Sequence, residues 1–307
     1  MKTPLLTYLA LVVTLLPVHA RTWTSSDGKK LEADFVSATE THVILKRSKD
    51  GKSFTLPLAR LSAEDQTYIK EEATAKPSAP SEPAPIEGEF AELITGSWKL
   101  AEHGKLPYAF YGAKDLDGSK KYPLVVSLHG KSSNNENGKQ IGLARRFADK
   151  NNYSVRPCLI LAPLCYQPHG GTGGGWSSDP GDETIDLIKD LVKKLPLVDP
   201  DRIYVIGYSM GGFGTWRFLK EESRLFAAGI PVASYASGVG KLRSMPIWAF
   251  HGAKDNVVPV EGARNAADEL KRSKKFKYTE FPEDGHGISG MVVADVKVHE
   301  WLFAQKK

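Results

Sequence analysis

The stretch Arg202-Ile-Tyr-Val-Ile-Gly-Tyr-Ser-Met-Gly-Gly-Phe-Gly-Thr-Trp216 decides the fold of this chain of 307 residues. Its first part, residues 202–207, is apolar and typical of a buried strand, and a helical segment begins at Gly211. Between them lies the string Gly207-Tyr-Ser-Met-Gly211, a G-x-S-x-G pattern. At this position the pattern predicts a sharp strand-to-helix turn that lifts the Ser209 hydroxyl above the edge of a sheet. The flanking glycines relieve the crowding of such a turn.

Strands and helices alternate from Phe90 to the end of the chain, which predicts a mostly parallel sheet with helices on both faces. Strands are expected at residues 123–128, 158–162, 202–207, 246–250 and 276–281, and helices at residues 138–151, 183–195, 260–272 and 293–305 as well as after Gly211. Functional loops of such sheets lie at the carboxyl ends of the strands.

Residues 1–20 are typical of a signal peptide. They begin with the basic Lys2, continue with an apolar core and end in the small-residue motif Val18-His-Ala20. The apolar run is shorter than the roughly 20 residues that a membrane-spanning helix needs. The mature chain is therefore expected to be secreted or periplasmic, without membrane attachment after cleavage.

Two further segments precede the large domain, which is expected at residues 90–307. Residues 21–72 alternate polar and apolar side chains between turn signals at Asp27-Gly28 and Asp50-Gly51, as in a small antiparallel β domain, and they close with a short helix. Residues 73–89 are rich in Pro, Ala and Ser, which favours an extended linker.

The composition limits the functional classes. The formal net charge is only +5, with basic and acidic residues interleaved, so no nucleic-acid partner is indicated. The two cysteines, Cys158 and Cys165, flank a predicted strand and lie too far apart along it for a disulfide, and no metal-ligand spacing surrounds them. Free buried thiols and no metal or cofactor are expected.

A serine hydroxyl becomes an effective nucleophile only beside a base, and the base needs an acid that orients it. For Ser209, the expected base is His286, in a loop directly after the last predicted strand, and the expected acid is Asp255, shortly after the strand at residues 246–250. His299 lies within a helical pattern and is interpreted as structural. Glu261 and Asp284 are weaker alternatives to Asp255.

An oxyanion needs two aimed N–H donors. One is expected from the backbone of Met210 and the other from Lys131, in the loop after the strand at residues 123–128; the His169-Gly-Gly171 string follows a different strand and is interpreted as a loop rim. His129 and His251 are expected to brace their loops. Tyr208 and Trp176 are candidate substrate-binding residues, although Trp176 is equally consistent with a core or lid position.

The large domain resembles the esterase/phospholipase branch of the α/β-hydrolase superfamily, which contains feruloyl and acetyl-xylan esterases and polyhydroxybutyrate depolymerase-like enzymes. The matching strings are Tyr122-Pro-Leu-Val-Val-Ser-Leu-His-Gly130, Val198-Asp-Pro-Asp-Arg-Ile-Tyr204, Gly207-Tyr-Ser-Met-Gly-Gly-Phe-Gly-Thr-Trp216 and Phe250-His-Gly-Ala-Lys-Asp255. The resemblance implies an exported serine esterase that forms an acyl-enzyme without a cofactor, acting on small or polysaccharide-linked esters. One departure is Lys131-Ser-Ser-Asn-Asn135, where such enzymes often carry small residues.

Residues 21–72 resemble the SH3-like module known as SLA1 homology domain 1, through Arg21-Thr-Trp-Thr24, Gly28-Lys-Lys-Leu-Glu-Ala33 and Leu56-Pro-Leu-Ala-Arg-Leu-Ser62. This resemblance implies a protein or surface partner for the small domain. Two alternatives to the esterase stay open: an exported peptidase of prolyl-oligopeptidase type, and a binding protein built on a hydrolase scaffold.

Overall fold

The structure, a computed structural model, describes residues 21–38, 41–74, 83–131, 136–167 and 175–307. The predicted signal peptide, the His169-Gly-Gly171 string and residues 132–135 lie outside the described residues. The chain divides into a small unit and a large unit, with the division between Ser81 and Glu82.

The small unit is a four-stranded antiparallel meander followed by one helix. Its elements are β1 (Arg21–Thr24), β2 (Lys30–Ala38), β3 (His42–Arg47), β4 (Ser53–Pro57) and α1 (Ala63–Thr74). Its core centres on Trp23, which is 1% exposed and whose indole N–H donates to the Ala33 carbonyl at 2.8 Å. At the start of α1, the Ser62 hydroxyl accepts a hydrogen bond from the Asp65 N–H at 3.2 Å, which makes Ser62 the N-cap of this helix.

The large unit contains an eight-stranded sheet in the order β12-β11-β10-β9-β7-β8-β6-β5. The strands are β5 (Lys99–His103), β6 (Leu106–Tyr111), β7 (Tyr122–Leu128), β8 (Leu159–Pro163), β9 (Val198–Tyr208), β10 (Ala228–Val232), β11 (Ile247–Gly252) and β12 (Phe276–Phe281). The helices are α2 (Arg145–Ala148), α3 (Lys150–Tyr153), α4 (Asp179–Lys194), α5 (Met210–Glu221), α6 (Val260–Leu270), α7 (Ser289–Ala294) and α8 (Val296–Phe303). The prediction of a mostly parallel sheet flanked by helices is confirmed.

Both faces of the sheet are covered, which explains the continuous apolar runs in its central strands. In β7, Leu124 and Val126 pack into the core on one face, whereas Val125 packs into the core on the other. The chain places β8 on one side of β7 and β9 on the other, so the strand order reverses there. The crevice at the carboxyl ends of β7 and β9 is therefore the expected ligand site of this sheet.

Several elements differ from the sequence prediction. The helix expected at residues 138–151 is instead a short turn, α2 and α3. Gly138 is left-handed (φ 105°) and precedes the turn, and the extended backbone of Asp149 (ψ 130°) separates α2 from α3. The helix expected at residues 293–305 is likewise divided at Asp295, whose extended backbone (ψ 115°) ends α7 and caps α8. The sequence reading also missed β10 and the antiparallel pair β5–β6.

Residues 83–89, part of the predicted linker, pack on the large unit. The Ala84 carbonyl accepts a hydrogen bond from the Gly118 N–H at 2.9 Å, and Gly88 lies so close to Lys194 that an added Cβ would be 2.3 Å from its carbonyl oxygen. At the other end of the predicted linker, residues 73 and 74 belong to α1.

Cys158 and Cys165 are free and buried, as predicted. Burial raises the pKa of both thiols, that of Cys165 to about 11. They are therefore poor nucleophiles at neutral pH. Within the described ranges, no helix has the length and apolarity needed to cross a bilayer.

Candidate active site

Ser209 lies at the turn between the central strand β9 and helix α5, in a strained backbone conformation with φ 55° and ψ −117°. Such a conformation is rare for a residue with a side chain and is typical of a nucleophile positioned on a sharp turn. The neighbouring glycines are required because other backbone atoms lie where a Cβ atom would be. A Cβ added to Gly207 would lie 2.1 Å from the Gly211 carbonyl oxygen, and one added to Gly211 would lie 2.0 Å from that of Leu128.

The structure brings Ser209, His286 and Asp255 together. The Nε2 atom of His286 is 2.9 Å from the Ser209 hydroxyl oxygen, and its Nδ1 atom is 2.7 Å from Oδ2 of Asp255. His286 comes from the loop between β12 and α7, and Asp255 comes from the loop between β11 and α6. Because a carboxylate only accepts hydrogen bonds, Nδ1 carries the proton and Nε2 can accept the proton of the serine.

The carboxylate of Asp255 is buried and accepts hydrogen bonds at both oxygens. Its side chain is 0% exposed, and Oδ1 accepts backbone N–H bonds from Val257 at 2.9 Å and Val258 at 2.8 Å. Burial raises the pKa of this carboxyl, but the hydrogen bonds from His286 and from the two backbone N–H groups outweigh burial, and the pKa lies below its usual value. The acid is therefore ionised at neutral pH.

A second histidine also contacts this carboxylate. His251, at the end of β11, is fully buried, and its Nε2 atom is 3.2 Å from Oδ2 of Asp255 and 2.9 Å from the Val258 carbonyl oxygen. Both partners are acceptors, so Nε2 carries a proton shared between them. Sequence reasoning assigned His251 to loop bracing and missed this contact, since a spacing of four residues in a loop gives no signal for it.

The two expected oxyanion donors lie on adjoining segments. The Met210 N–H is the first of helix α5 and has no acceptor within that helix. Lys131 is exposed, three residues beyond the end of β7. The chain between Leu128 and Lys131 passes close to the start of α5, because a Cβ added to Gly211 would meet the carbonyl oxygens of both Leu128 and His129.

His129 and Trp176 brace this loop. The Nδ1 atom of His129 lies 2.7 Å from the Gly130 carbonyl oxygen, and its Nε2 atom accepts a hydrogen bond from the Cys165 N–H at 2.9 Å. Burial lowers the pKa of the His129 imidazole. Trp176 is 1% exposed and its indole N–H donates to the His129 carbonyl at 3.1 Å. Of the two interpretations of Trp176, its burial favours the core position over the substrate pocket.

Tyr208 stands beside the candidate base, with its ring centroid 5.1 Å from that of His286. Two of the alternatives, Glu261 and His299, lie elsewhere. Glu261 pairs with Arg264 at 3.6 Å, and His299 is buried, donating to the Val293 carbonyl at 2.8 Å. Among the described residues, Asp255 is the acid that bonds His286, and no cluster of His, Cys, Asp or Glu is arranged to hold a metal ion.

Comparisons with known proteins agree with this architecture. Residues 181–300 match the phospholipase/carboxylesterase family. The chain is 30% identical over 148 residues to a bifunctional acetylxylan esterase/xylanase of Neocallimastix patriciarum, covering 46% of this chain and 21% of that protein. It is 22% identical over 294 residues to an uncharacterized peptidase of Bacillus subtilis, covering 75% of this chain and 43% of that protein.

Among solved structures, a thermostable esterase superposes with a TM-score of 0.62 at 24% identity, covering 89% of this chain and 76% of that one. The large unit thus has the α/β-hydrolase fold, as the sequence predicts. The chain spans less than half the length of the curated relatives named above.

Proposed function

We propose that the chain is an exported serine esterase that hydrolyses carboxylic esters through an acyl-enzyme at Ser209. The observation that carries this proposal is the continuous hydrogen-bonded series from Asp255 through His286 to the Ser209 hydroxyl, located at the carboxyl end of the central strand. A serine, a neutral imidazole and a buried carboxylate in this order are the components of nucleophilic acyl transfer.

In the first half-reaction, Oγ of Ser209 attacks the ester carbonyl carbon while its proton moves to Nε2 of His286. The tetrahedral oxyanion accepts hydrogen bonds from the N–H groups of Met210 and Lys131. Its collapse breaks the bond to the alcohol oxygen, which takes the proton from Nε2. In the second half-reaction, water attacks the acyl-enzyme with the same proton movements and releases the acid. Asp255 keeps Nδ1 protonated and stabilises the imidazolium throughout.

The relatives guide the choice of substrate. An acetylxylan esterase/xylanase and a feruloyl esterase are among them, which supports esters of plant polysaccharides, or small esters of similar acids, as substrates. The peptidase of Bacillus subtilis supports a second candidate, the cleavage of amide bonds, since fold alone does not fix the bond that is cut.

The decisive experiment combines covalent labelling with matched substrates. We expect a fluorophosphonate probe to label the protein once, on the peptide that contains Ser209, and the label to block hydrolysis of para-nitrophenyl acetate. We also expect the para-nitroanilide of the same acid to be cleaved at least a hundredfold more slowly. Comparable rates for the ester and the anilide would favour the peptidase, and absence of labelling would contradict both candidates.

Export and the small unit complete the proposal. The signal-like sequence of residues 1–20 supports export, and the resemblance of residues 21–72 to an SH3-like module, together with their antiparallel meander, supports a binding or attachment role. Fractionation of cells expressing the full chain tests export; full-length protein retained in the cytoplasm would refute it.

His251 is expected to be a positioning residue for the acid. A hydrogen bond to a charged group contributes about 1.5–3 kcal/mol, so His251→Leu should lower kcat at least tenfold by loosening Asp255. His251→Gln offers an N–H near the same place and should recover part of this loss. The measurement is kcat for a neutral ester beside thermal unfolding. If folded His251→Leu protein kept the wild-type kcat, the contact would have no role in catalysis.

A further inference from the structure

A cavity lies beside Tyr208, the residue before the proposed nucleophile, and a second cavity adjoins it. The first, of about 390 Å³, is lined by Gly130 and Tyr208 and by the cationic side chains of Lys139 and Arg146. The second, of about 460 Å³, shares Arg146 and Val293 with the first and is also lined by further cationic residues. The two cavities are neighbours that share these two residues, and together they are called the groove below.

The groove concentrates positive charge. The segment 138–156, which forms one of its walls, carries five cationic side chains and a single acidic one, in a chain whose formal net charge is only +5. The cationic residues are Lys139, Arg145, Arg146, Lys150 and Arg156, and the acidic residue is Asp149. Of the five, all but Arg145 line the groove.

Few acids neutralise this charge. Arg146 pairs with the exposed Asp149 at 3.2 Å, and Arg156 pairs with Glu300 at 3.4 Å. Within the described ranges, Lys139 and Lys150 have no ion pair. The facing wall, from α7 and α8, contributes uncharged side chains to the groove together with the buried His299.

The groove is connected to the proposed site through Tyr208. Its ring packs against that of His286 at 5.1 Å and also lines the first cavity. Gly130, on the same cavity wall, belongs to the loop that approaches the start of α5. A substrate that extends from Ser209 past Tyr208 therefore enters a groove with Lys139 and Arg146 on its wall.

From this arrangement we infer that the groove binds a carboxylate of the substrate, so that the preferred esters carry a negative charge away from the scissile bond. This inference rests on the proposed esterase function and specifies its substrate class. The carboxylate belongs either to the acyl part or to the alcohol part of the ester. Exposed charge pairs contribute little individually, so two cations in a concave site should give a preference of about three- to tenfold.

The test compares kcat/KM for two matched pairs of esters. Para-nitrophenyl hemiadipate against para-nitrophenyl hexanoate places the charge on the acyl part. Para-acetoxyphenylpropionate against its methylamide places the charge on the alcohol part. We expect the anionic member to be preferred in one pair, which identifies the part that occupies the groove, and we expect added salt to reduce the preference because it screens exposed charges.

Charge-removing variants locate the effect. Lys139→Gln combined with Arg146→Gln should abolish the preference, because it removes the two cations that the carboxylate would meet. Arg145→Gln removes one positive charge from a neighbouring exposed position outside the groove, and it should keep the preference.

The outcomes separate this inference from the proposed function. Hydrolysis of the neutral esters without any preference for the anionic ones would overturn the groove assignment and leave the esterase intact. A preference that survives in the double variant, or that disappears equally in Arg145→Gln, would also overturn it. If neither type of ester were hydrolysed, the proposed function and this inference would fail together.

Discussion

Ser209→Ala is expected to lower kcat for ester hydrolysis by about four to six orders of magnitude, the loss typical for the nucleophile of a serine triad. The reason is that no other described hydroxyl lies on the hydrogen-bonded series of His286 and Asp255. Alanine retains the Cβ atom and the strained backbone of the turn, so the fold should persist. The small residual rate would come from the oxyanion donors and substrate binding.

The measurement is kcat for a para-nitrophenyl ester, together with the free energy of unfolding to show that the variant is folded. Ser237→Ala serves as a matched control, because Ser237 is an exposed serine beyond β10, outside the candidate site, and should keep the wild-type rate. A folded Ser209→Ala protein with more than a hundredth of the wild-type rate would refute the assignment of the nucleophile.

The sequence was most informative where structure is determined locally. The turn at Ser209 was predictable because a buried strand, two glycines and a helix start are adjacent in the chain, and each has its own local signal. The loop positions of His286 and Asp255 were predictable because each residue follows a strand, β12 and β11 respectively, by only a few residues in the sequence. Their meeting was predictable only because parallel strands bring their carboxyl ends to one edge.

The errors arise where tertiary context overrides local preference. Strand β10 lies in the middle of the sheet, yet it contains Gly229 and Pro231, two residue types that disfavour central strands. The broken helix at residues 138–151 has an apolar period, but the extended Asp149 interrupts it, and the left-handed Gly138 at its start is not helical. That segment provides the cationic wall of the groove, so the sequence did not reveal the groove either.

Asp255→Asn is expected to lower kcat by about four orders of magnitude, because it reverses the hydrogen bonds around the base. Oδ1 of Asp255 accepts two backbone N–H bonds, so the amide oxygen of asparagine must take that position. The amide NH2 group then replaces Oδ2 and faces His286 Nδ1, where it can only donate. The imidazole must accept at Nδ1 and carry its proton on Nε2, and in this tautomer it cannot take the proton of Ser209.

The same substitution places an NH2 group against the Nε2–H of His251, a contact between two donors that should also lower stability. The variant is therefore compared with wild type in both kcat and the free energy of unfolding. Asp284→Asn is the matched control, since Asp284 lies two residues before His286 and is the nearest rival in sequence for the role of the acid. It should keep kcat within about threefold. If Asp284→Asn instead lost activity while Asp255→Asn kept it, the role of the acid would pass to Asp284. The reason is that replacing the carboxylate that orients the base by an amide moves the imidazole proton of His286 from Nδ1 to Nε2.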